Sequence, residues 1–457
     1  MRATLLNRYL RGDTLSARAG RGAVWTIGGV VASNFLRLAS NLVLTRLLFP
    51  EAFGLMSLVQ VFITGLAMFS DLGIRASIIQ NDRSNEPAFL DTAWTLQVIR
   101  GFFLWLFAGV IALPLSAFYA EPMLAQLLPV VGLTALIAGF TPTRVHTANR
   151  DLVLGRMTLI DIGTQVVGLV ITVILAWLLQ SVWALALGTV LSAVLKQLLF
   201  MMLMEGHRNR LWIDRSCLGE LVRFGKWIFL STAAGFLVNH ADRAILGKFI
   251  TLEMLGIYSI GFFLASVPKL VGSPLGGKIV FPLYKQRPPW ESFENKRKIF
   301  HVRRLLTGGL LCLSAMLAWS GNWLVGFLYD ERYAAAGPIL VLVVISQLPA
   351  IVFGRYDSLL LAAGDSKRFM TRVTMNAIAQ TTLTLIGVMQ FGLIGAILAQ
   401  GLAAILVYPV LIAAVRRYHG WDPLHDLVFG AAALGIAAVG FAVNHETIVQ
   451  LINQTMP

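Results

Sequence analysis

Asn34, Arg37 and Asn41 stand at i, i+3 and i+7 inside an apolar run, so two amides and a guanidinium share one helical face, which Thr45 continues. A second apolar run, "FLVNHADRAILGKF" (236–249), holds Asn239, His240, Asp242 and Arg243, with Thr232 one turn and more before them. An ionised group at the centre of a bilayer costs at least about 2.5–3.5 kcal/mol. Such groups therefore face a partner or a wet cavity, not lipid. Arginine grips phosphate oxygens two at a time, so the chemistry on offer is recognition of an anionic, hydrogen-bonding headgroup. The competing reading is a polar seam that fixes helix packing, with Asp242 paired to Arg243 or reaching the helix of Arg37. His240 is either a hydrogen-bonded structural group or part of a proton relay.

A third cluster lies in "ASVPKLVGSPLGGKIVFP" (265–282), with Pro268, Lys269, Gly272, Pro274, Gly276, Gly277 and Lys278. Proline and glycine at this density bend or break a helix, which membranes tolerate where freed carbonyls line protein or a cavity. A hinge-like helix with Lys269 directed inward is expected, and a static kink is the alternative. Span two carries a milder set, Gly65, Asp71, Gly73 and Arg75. Arg355 and Asp357, in "GRYDS", are candidates for an ion pair locking an inward gate, and packing is the other reading. Asp161 and Gln165 suit packing or interfacial roles. The segment "GSPLGGKI" approaches a phosphate loop, but Ile279 stands where a magnesium-binding hydroxyl belongs and no strand precedes it, which excludes an ATPase. The seven histidines form no metal-ligand spacing, so neither a metal nor a cofactor is expected. Asp242 or Asp71 could carry a coupling H⁺ or Na⁺.

The elements that must position these groups are long apolar helices. The chain of 457 residues is 57% hydrophobic and 13% charged, against about 25% charge in soluble chains. Spans fall near 23–45, 52–75, 93–117, 123–142, 158–179, 182–204, 227–247, 254–284, 305–328, 338–362, 373–390, 394–415 and 425–443, each long enough for a core of about 30 Å. This is an all-α polytopic membrane protein. Numbering the connections alternately, 26 of the 37 Lys and Arg lie on the side of the N-terminus, three on the other (Arg46, Lys248, Arg332), and the rest within or at the edges of spans. That asymmetry predicts a cytoplasmic N-terminus and explains the net charge of +14 as topology, which removes the case for nucleic acid. Cys217 and Cys312 imply no disulfide framework. No cleavable signal peptide is expected, and residues 5–10, "LLNRYL", are either a short amphipathic helix on the inner leaflet or a basic tail.

"LTRLLFPEAFGLMSL" (44–58) superposes on "LGKFITLEMLGIYSI" (246–260) at a shift of 202 residues. Leu44 meets Leu246, Glu51 meets Glu253, Gly54 meets Gly256 and Ser57 meets Ser259. A weaker echo relates "SVWALAL" (181–187) to "GLIGAIL" (392–398). Six spans separate the longer copies, so two parallel six-helix repeats are expected, with a binding site near the midplane. The division is a basic tail (1–22), a first lobe (23–204), a linker (205–226), a second lobe (227–415) and an additional span with a short tail (416–457). Outward connections are short, which disfavours an external active site, and the inward segment 285–304 looks like a connector.

"LTRLLFPEAFGLMSLVQVFITGLAMFSDLGIRASIIQ" (44–80) resembles the opening signature of bacterial polysaccharide transporters. "ADRAILGKF" (241–249), "LGIYSIGF" (255–262), "VFPLYKQ" (280–286) and "LYDERYAAAGPIL" (328–340) resemble that family's second half. The resemblance covers roughly residues 23–418. It is to the Wzx-type flippases of the multidrug/oligosaccharidyl-lipid/polysaccharide superfamily, and it implies two six-helix lobes in a V shape. It also implies alternating access that carries undecaprenyl-diphosphate-linked oligosaccharide from the cytoplasmic to the periplasmic leaflet of the bacterial inner membrane. Arg37, Arg243 and Lys269 would hold the headgroup, with Asn34, Asn41, Asn239, His240 and Asp242 beside them. Gating or coupling would fall to Asp71, Arg75, Pro268, Pro274, Arg355 and Asp357. Expected partners are the lipid-linked oligosaccharide, membrane lipids and polysaccharide polymerase or export proteins, around a monomer. A drug or organic-cation antiporter of the same superfamily is the runner-up, but it would want carboxylates where this chain is basic. A membrane-bound glycan polymerase or ligase and a non-transporting scaffold stand behind it.

Overall fold

The structure, a computed structural model, describes residues 15–455, with the side chains of residues 15–23, 82 and 224–231 outside the description. The segment 5–10 discussed above lies outside the described residues. Among those residues the chain is all helix and turn, with no strand. Among the described residues, nine helices are long and apolar enough to cross a membrane, and two further bent pairs, Met123–Gly139 with Arg144–Arg150 and Leu252–Ala265 with Val267–Gln286, pass together. Ser366–Arg416, one of the nine, turns back on itself at Phe391 and Gly392, where Gly392 has φ 57° and ψ −145°. That backbone region is open essentially to glycine alone. The chain is a multi-pass membrane protein that divides into two compact units, residues 1–48 with 59–233 and residues 49–58 with 234–457.

The first unit contains α1 (Leu15–Leu47), the remainder of α2 (Pro50–Phe69), α3 (Ile74–Gln80), α4 (Pro87–Tyr119), α5 (Met123–Gly139), α6 (Arg144–Arg150), α7 (Leu154–Leu179) and α8 (Val182–Leu203). α4 packs along α5, α7 along α8, and α1 along α7. Lipid gives no hydrophobic drive between helices, so close approach rests on small residues. A Cβ on Gly101 would sit 2.8 Å from the Ala135 carbonyl, and one on Gly188 would sit 2.2 Å from Thr172 Oγ1.

The segment after α8 has few backbone partners of its own, and α4 supplies them. Thr95 and Thr92 hydroxyls accept from the Trp212 and Asp214 amides at 2.9 Å each. Asp91 accepts from the Arg210 amide at 3.0 Å and meets His207 Nε2 at 2.7 Å. Asp214 then caps α9 (Arg215–Phe249) by accepting from the Ser216 and Cys217 amides at 2.9 and 3.1 Å. The Ser216 hydroxyl and these amides hold its carboxyl down at about 2. The helix therefore begins twelve residues ahead of the expected span at 227. α13 (Phe293–Leu328) likewise absorbs much of the expected connector 285–304, because Ser292 caps it through the Asn295 amide.

The second unit is built around α14 (Ala336–Phe353), which is apolar all round and correspondingly buried on nearly every side. α10 (Leu252–Ala265), α13, α16 (Ser366–Arg416) and α17 (Pro423–Val443) pack on it. The additional span, α17, belongs to this unit and is clamped at both ends. At its start Arg303, 1% exposed, lies 3.0 Å from His425 Nδ1, donates to Asp426 Oδ1 at 3.3 Å, and lies 3.7 Å over the Tyr356 ring. At its end Asn444 donates to the Ala318 carbonyl at 2.9 Å and accepts from Asn322 at 2.8 Å. α18 (His445–Thr455) then buries Ile448 and Leu451.

The motif repeated at 202 residues recurs in geometry. α1 ends at Leu47 and α9 at Phe249; α2 begins at Pro50 and α10 at Leu252. Inside the second unit the two copies meet reciprocally. A Cβ on Gly54 would lie 1.9 Å from the Leu252 carbonyl oxygen, and one on Gly256 would lie 1.9 Å from that of Pro50. Ser259 Oγ donates to Ser57 Oγ at 3.1 Å. Residue i touching j′ while i′ touches j is the pattern of a local two-fold contact.

Candidate functional site

In the first unit, α1, α7 and α8 enclose a groove of about 510 Å³. α1 contributes Ser33, Asn34, Arg37 and Ser40; α7 contributes Asp161, Thr164, Gln165 and Thr172; α8 contributes Thr189, Ser192 and Lys196. The hydroxyls here have a common orientation. Thr164, Thr172, Thr189 and Ser192 donate to the backbone carbonyls of Asp161, Gly168, Leu185 and Gly188 at 2.6–3.0 Å. Asn34 does the same to the Val30 carbonyl at 2.8 Å. With their single hydrogens engaged on their own helices, the four hydroxyls present oxygen lone pairs to the groove. Lys196 and Asp161 form an ion pair of 2.7 Å on its wall. The result is an acceptor-rich surface carrying two cationic side chains.

A second cavity of the first unit, about 260 Å³, is lined by Asp71, Arg75, Gln97, Arg100 and His146. α2 ends at Phe69, and the chain turns through Gly73 at φ 62° with the Gly73 amide donating to Asp71 Oδ1 at 2.9 Å. Arg100 closes the break by donating to Ser70 Oγ at 3.0 Å and to the Ala67 carbonyl. Span two thus stops and restarts instead of running to residue 75.

The second unit has its own break. The bent pair turns by 44° at Ser266, with Pro268 in the first turn of α11 (Val267–Leu275), where a missing amide hydrogen costs nothing. Pro274 is followed by a single π-helical turn, Gly276–Val280, before α12 (Phe281–Gln286). Arg355 fills the space beside this irregular backbone and donates to the Gly272 carbonyl at 2.8 Å. A Cβ on Gly272 or Gly276 would lie 2.4 or 2.8 Å from its guanidinium nitrogens. Gly272→Ala is therefore expected to displace Arg355, measurable as a lowered unfolding temperature of the purified protein.

Lys269, on α11, lines two cavities of this unit. One is small, about 40 Å³, with Asn239, Asp242, Tyr258, Gln380, Thr384 and Gln400 in its wall. There Lys269 donates to Asn239 Oδ1 at 2.9 Å and Tyr258 to Asp242 Oδ2 at 2.6 Å. The other is about 700 Å³ and adds Arg355, Asp357, Arg372, Asn376 and Gln347, with Phe281, Phe353, Phe369 and Tyr408 as its apolar wall.

Of the residues singled out from sequence, Asn34 and Arg37 line the groove, while Asn41 is not among its lining residues. Asn239, Asp242 and Lys269 come together in the small cavity. His240 stacks on Phe236 at 5.6 Å between ring centroids. Two expected pairings do not form. Asp242 takes Tyr258 while Arg243 lies over the Phe262 ring at 4.7 Å. Asp357, at the start of α15 (Asp357–Ala362), pairs with Arg372 while Arg355 serves Gly272. In both cases neighbours in sequence diverge on the helix and each finds a partner from another element. Sequence reasoning missed Arg372, Lys196 and the hydroxyls of α7 and α8. Their signal was present: Asp161, Thr164, Gln165, Gly168 and Thr172 recur at helical spacing, as do Gly188, Ser192 and Lys196.

Residues 43–338 match the family model for "Polysaccharide biosynthesis protein". The teichuronic acid biosynthesis protein TuaB of Bacillus subtilis is 22% identical over 64% of this chain and 61% of its own length, so the match spans about three fifths of that relative. The lipopolysaccharide biosynthesis protein WzxC of Escherichia coli is 23% identical over 94% of this chain and 89% of its own. Among solved structures, the lipid II flippase MurJ in an inward closed conformation aligns over 94% of this chain and 99% of its own, at TM-score 0.64 and 10% identity.

Proposed function

The chain belongs to the polysaccharide biosynthesis protein family, and from that premise we propose that it is a flippase for undecaprenyl-diphosphate-linked oligosaccharide. It would work by alternating access in the bacterial inner membrane, with its N-terminus cytoplasmic and no catalytic activity of its own. The observation that carries this reading is the groove of the first unit, whose hydroxyls present acceptor oxygens within a bundle of long apolar helices. Sugars offer many hydroxyl donors and few charges, so they match a wall of lone pairs. Arg37 and Lys196 suit the acidic or phosphate groups that accompany such glycans. A drug antiporter for organic cations is less well served by the same wall, because its one carboxylate, Asp161, is already paired to Lys196 and Arg37 adds a further positive charge. Asp242 and Asp71 remain the candidate carriers of a coupling H⁺ or Na⁺, and polymerase or export proteins the candidate neighbours of a monomeric transporter.

Reconstitution tests this directly. Vesicles containing the protein are expected to move fluorescent lipid-linked oligosaccharide between leaflets. Arg37→Ala should slow that movement about tenfold or more, as loss of one charged hydrogen-bonding group at about 1.5–3 kcal/mol implies. A protein that leaves the glycolipid in place yet carries ethidium-like cations would sink the flippase reading in favour of the antiporter.

A further inference from the structure

Residues 204–214, which join α8 to α9, follow no helix. Every second amide from Arg210 to Asp214 turns to α4, where Asp91, Thr95 and Thr92 accept. Asn209 adds bonds to the Leu90 carbonyl at 3.3 Å and to Thr143 Oγ1 at 2.8 Å. The strap is therefore strung tightly along the first unit by its backbone and by Asn209. Its next three side chains do not follow. They are consecutive and apolar, and they stay outside: Leu211 is 70% exposed, Trp212 61% and Ile213 48%. Arg208, Arg210 and Arg215 stand exposed around them. The neighbouring carboxylates are engaged elsewhere, Asp91 with His207, Glu205 with Arg156 and Asp214 with the first amides of α9.

Helix lengths say where this patch stands. α8, apolar enough to cross the membrane, ends at Leu203, just before the strap. α4 has 33 residues, about 50 Å of helix for a hydrocarbon about 30 Å deep. Both of its charged residues, Asp91 and Arg100, lie in its first half, so the excess length belongs at that end. The residues that hold the strap lie within about 12 Å of the start of α4. Backbone without helical hydrogen bonds does not enter hydrocarbon facing lipid, which leaves the strap at headgroup level with only its side chains reaching inward. Tryptophan, with an apolar body and one N–H, suits that boundary, and arginine suits lipid phosphate. We infer that residues 208–213 are a membrane anchor. Leu211, Trp212 and Ile213 enter the boundary of headgroups and acyl chains in the leaflet on the side of the N-terminus, and Arg208 and Arg210 gather anionic lipid there. Because the strap ends at Asp214, whose carboxyl caps α9, lipid that fixes the strap also fixes where α9 starts. The anchor does not rest on the identity of the cargo.

Fluorescence of Trp212 tests this. It is one of eleven tryptophans, so its emission is taken as wild type minus Trp212→Phe, a variant that keeps an aromatic anchor and the amide bond to Thr95. The full-length protein is reconstituted in vesicles of phosphatidylcholine and phosphatidylglycerol, with one or the other lipid brominated close to the glycerol. Trp212 is expected to be quenched by both brominated lipids and shielded from aqueous iodide. At equal mole fraction, brominated phosphatidylglycerol should be favoured about fivefold for each arginine that meets a headgroup. That preference should vanish when Arg208→Gln and Arg210→Gln are combined. The double variant retains the amide of residue 210 that Asp91 accepts, so the strap keeps its path, and quenching by brominated phosphatidylcholine should persist. Equal quenching by the two lipids in wild type overturns the role of the arginines. Strong quenching by iodide with none by brominated lipid overturns the anchor and assigns the patch to a soluble protein instead.

Discussion

Gly54→Val and Gly256→Val are each expected to part α2 from α10 and to cost about 1–3 kcal/mol or more, the range for overfilled contacts. Nothing at this crossing can yield cheaply, because the atom in the way is a backbone carbonyl oxygen in both directions, 1.9 Å from where the new Cβ would stand. A cross-link reads the result. Ser57 and Ser259 lie with their hydroxyl oxygens 3.1 Å apart, so Ser57→Cys with Ser259→Cys should oxidise readily in the otherwise native protein and fail to do so once either valine is present. Efficient cross-linking in the valine variants would show that the glycines do not hold the crossing. Alanine at 57 or 259 without cysteine should be mild, since it removes one neutral hydrogen bond worth about 1 kcal/mol.

The second large effect is expected from Arg303→Ala. This guanidinium is 1% exposed, stacked on Tyr356, and shares Asp426 with His425, Tyr356, Tyr408 and Trp421. Removing one member of a buried ion pair typically costs about 3–5 kcal/mol, because the other charge is left uncompensated. The start of α17 should loosen, and limited proteolysis should cut at 416–422 in the variant while sparing the wild type. Arg303→Lys should rescue little, because a point charge cannot reach Asp426 while lying flat on Tyr356. Intact resistance to protease in Arg303→Ala would refute the clamp.

The apolar spans were legible because hydropathy is a property of the segment itself, and the 44–58 and 246–260 copies were legible because the same turn demands the same residues. Asn34 and Arg37 could be placed on a face because an amide and a guanidinium inside an apolar run have few alternatives. The hydroxyls of α7 and α8 left only their helical spacing as a signal, because serine and threonine can bond their own helix and vanish into lipid as easily as line a groove. Ionic partners were the least readable. Asp357 looked toward Arg355 in sequence, yet Arg372 reaches it from α16, and Arg303 finds Asp426 across 123 residues. Such pairs are fixed by how helices dock, which local spacing does not encode. The π-helical turn after Pro274 belongs to the same class, since proline announces a break without saying how the backbone recovers.

α13 has 36 residues, a rod of about 54 Å in a membrane whose hydrocarbon is about 30 Å deep. Its first third carries Lys296 and Arg297, with Lys298 paired to Glu294 and Arg304 to Asp422, and burying such charges among acyl chains is costly, so headgroup level is where this basic stem is expected to stand. Each such charge near an anionic leaflet is worth about 1 kcal/mol. Set there, the stem would act as a draught mark on a hull: the waterline of the second unit is expected to shift with the leaflet's content of acidic lipid.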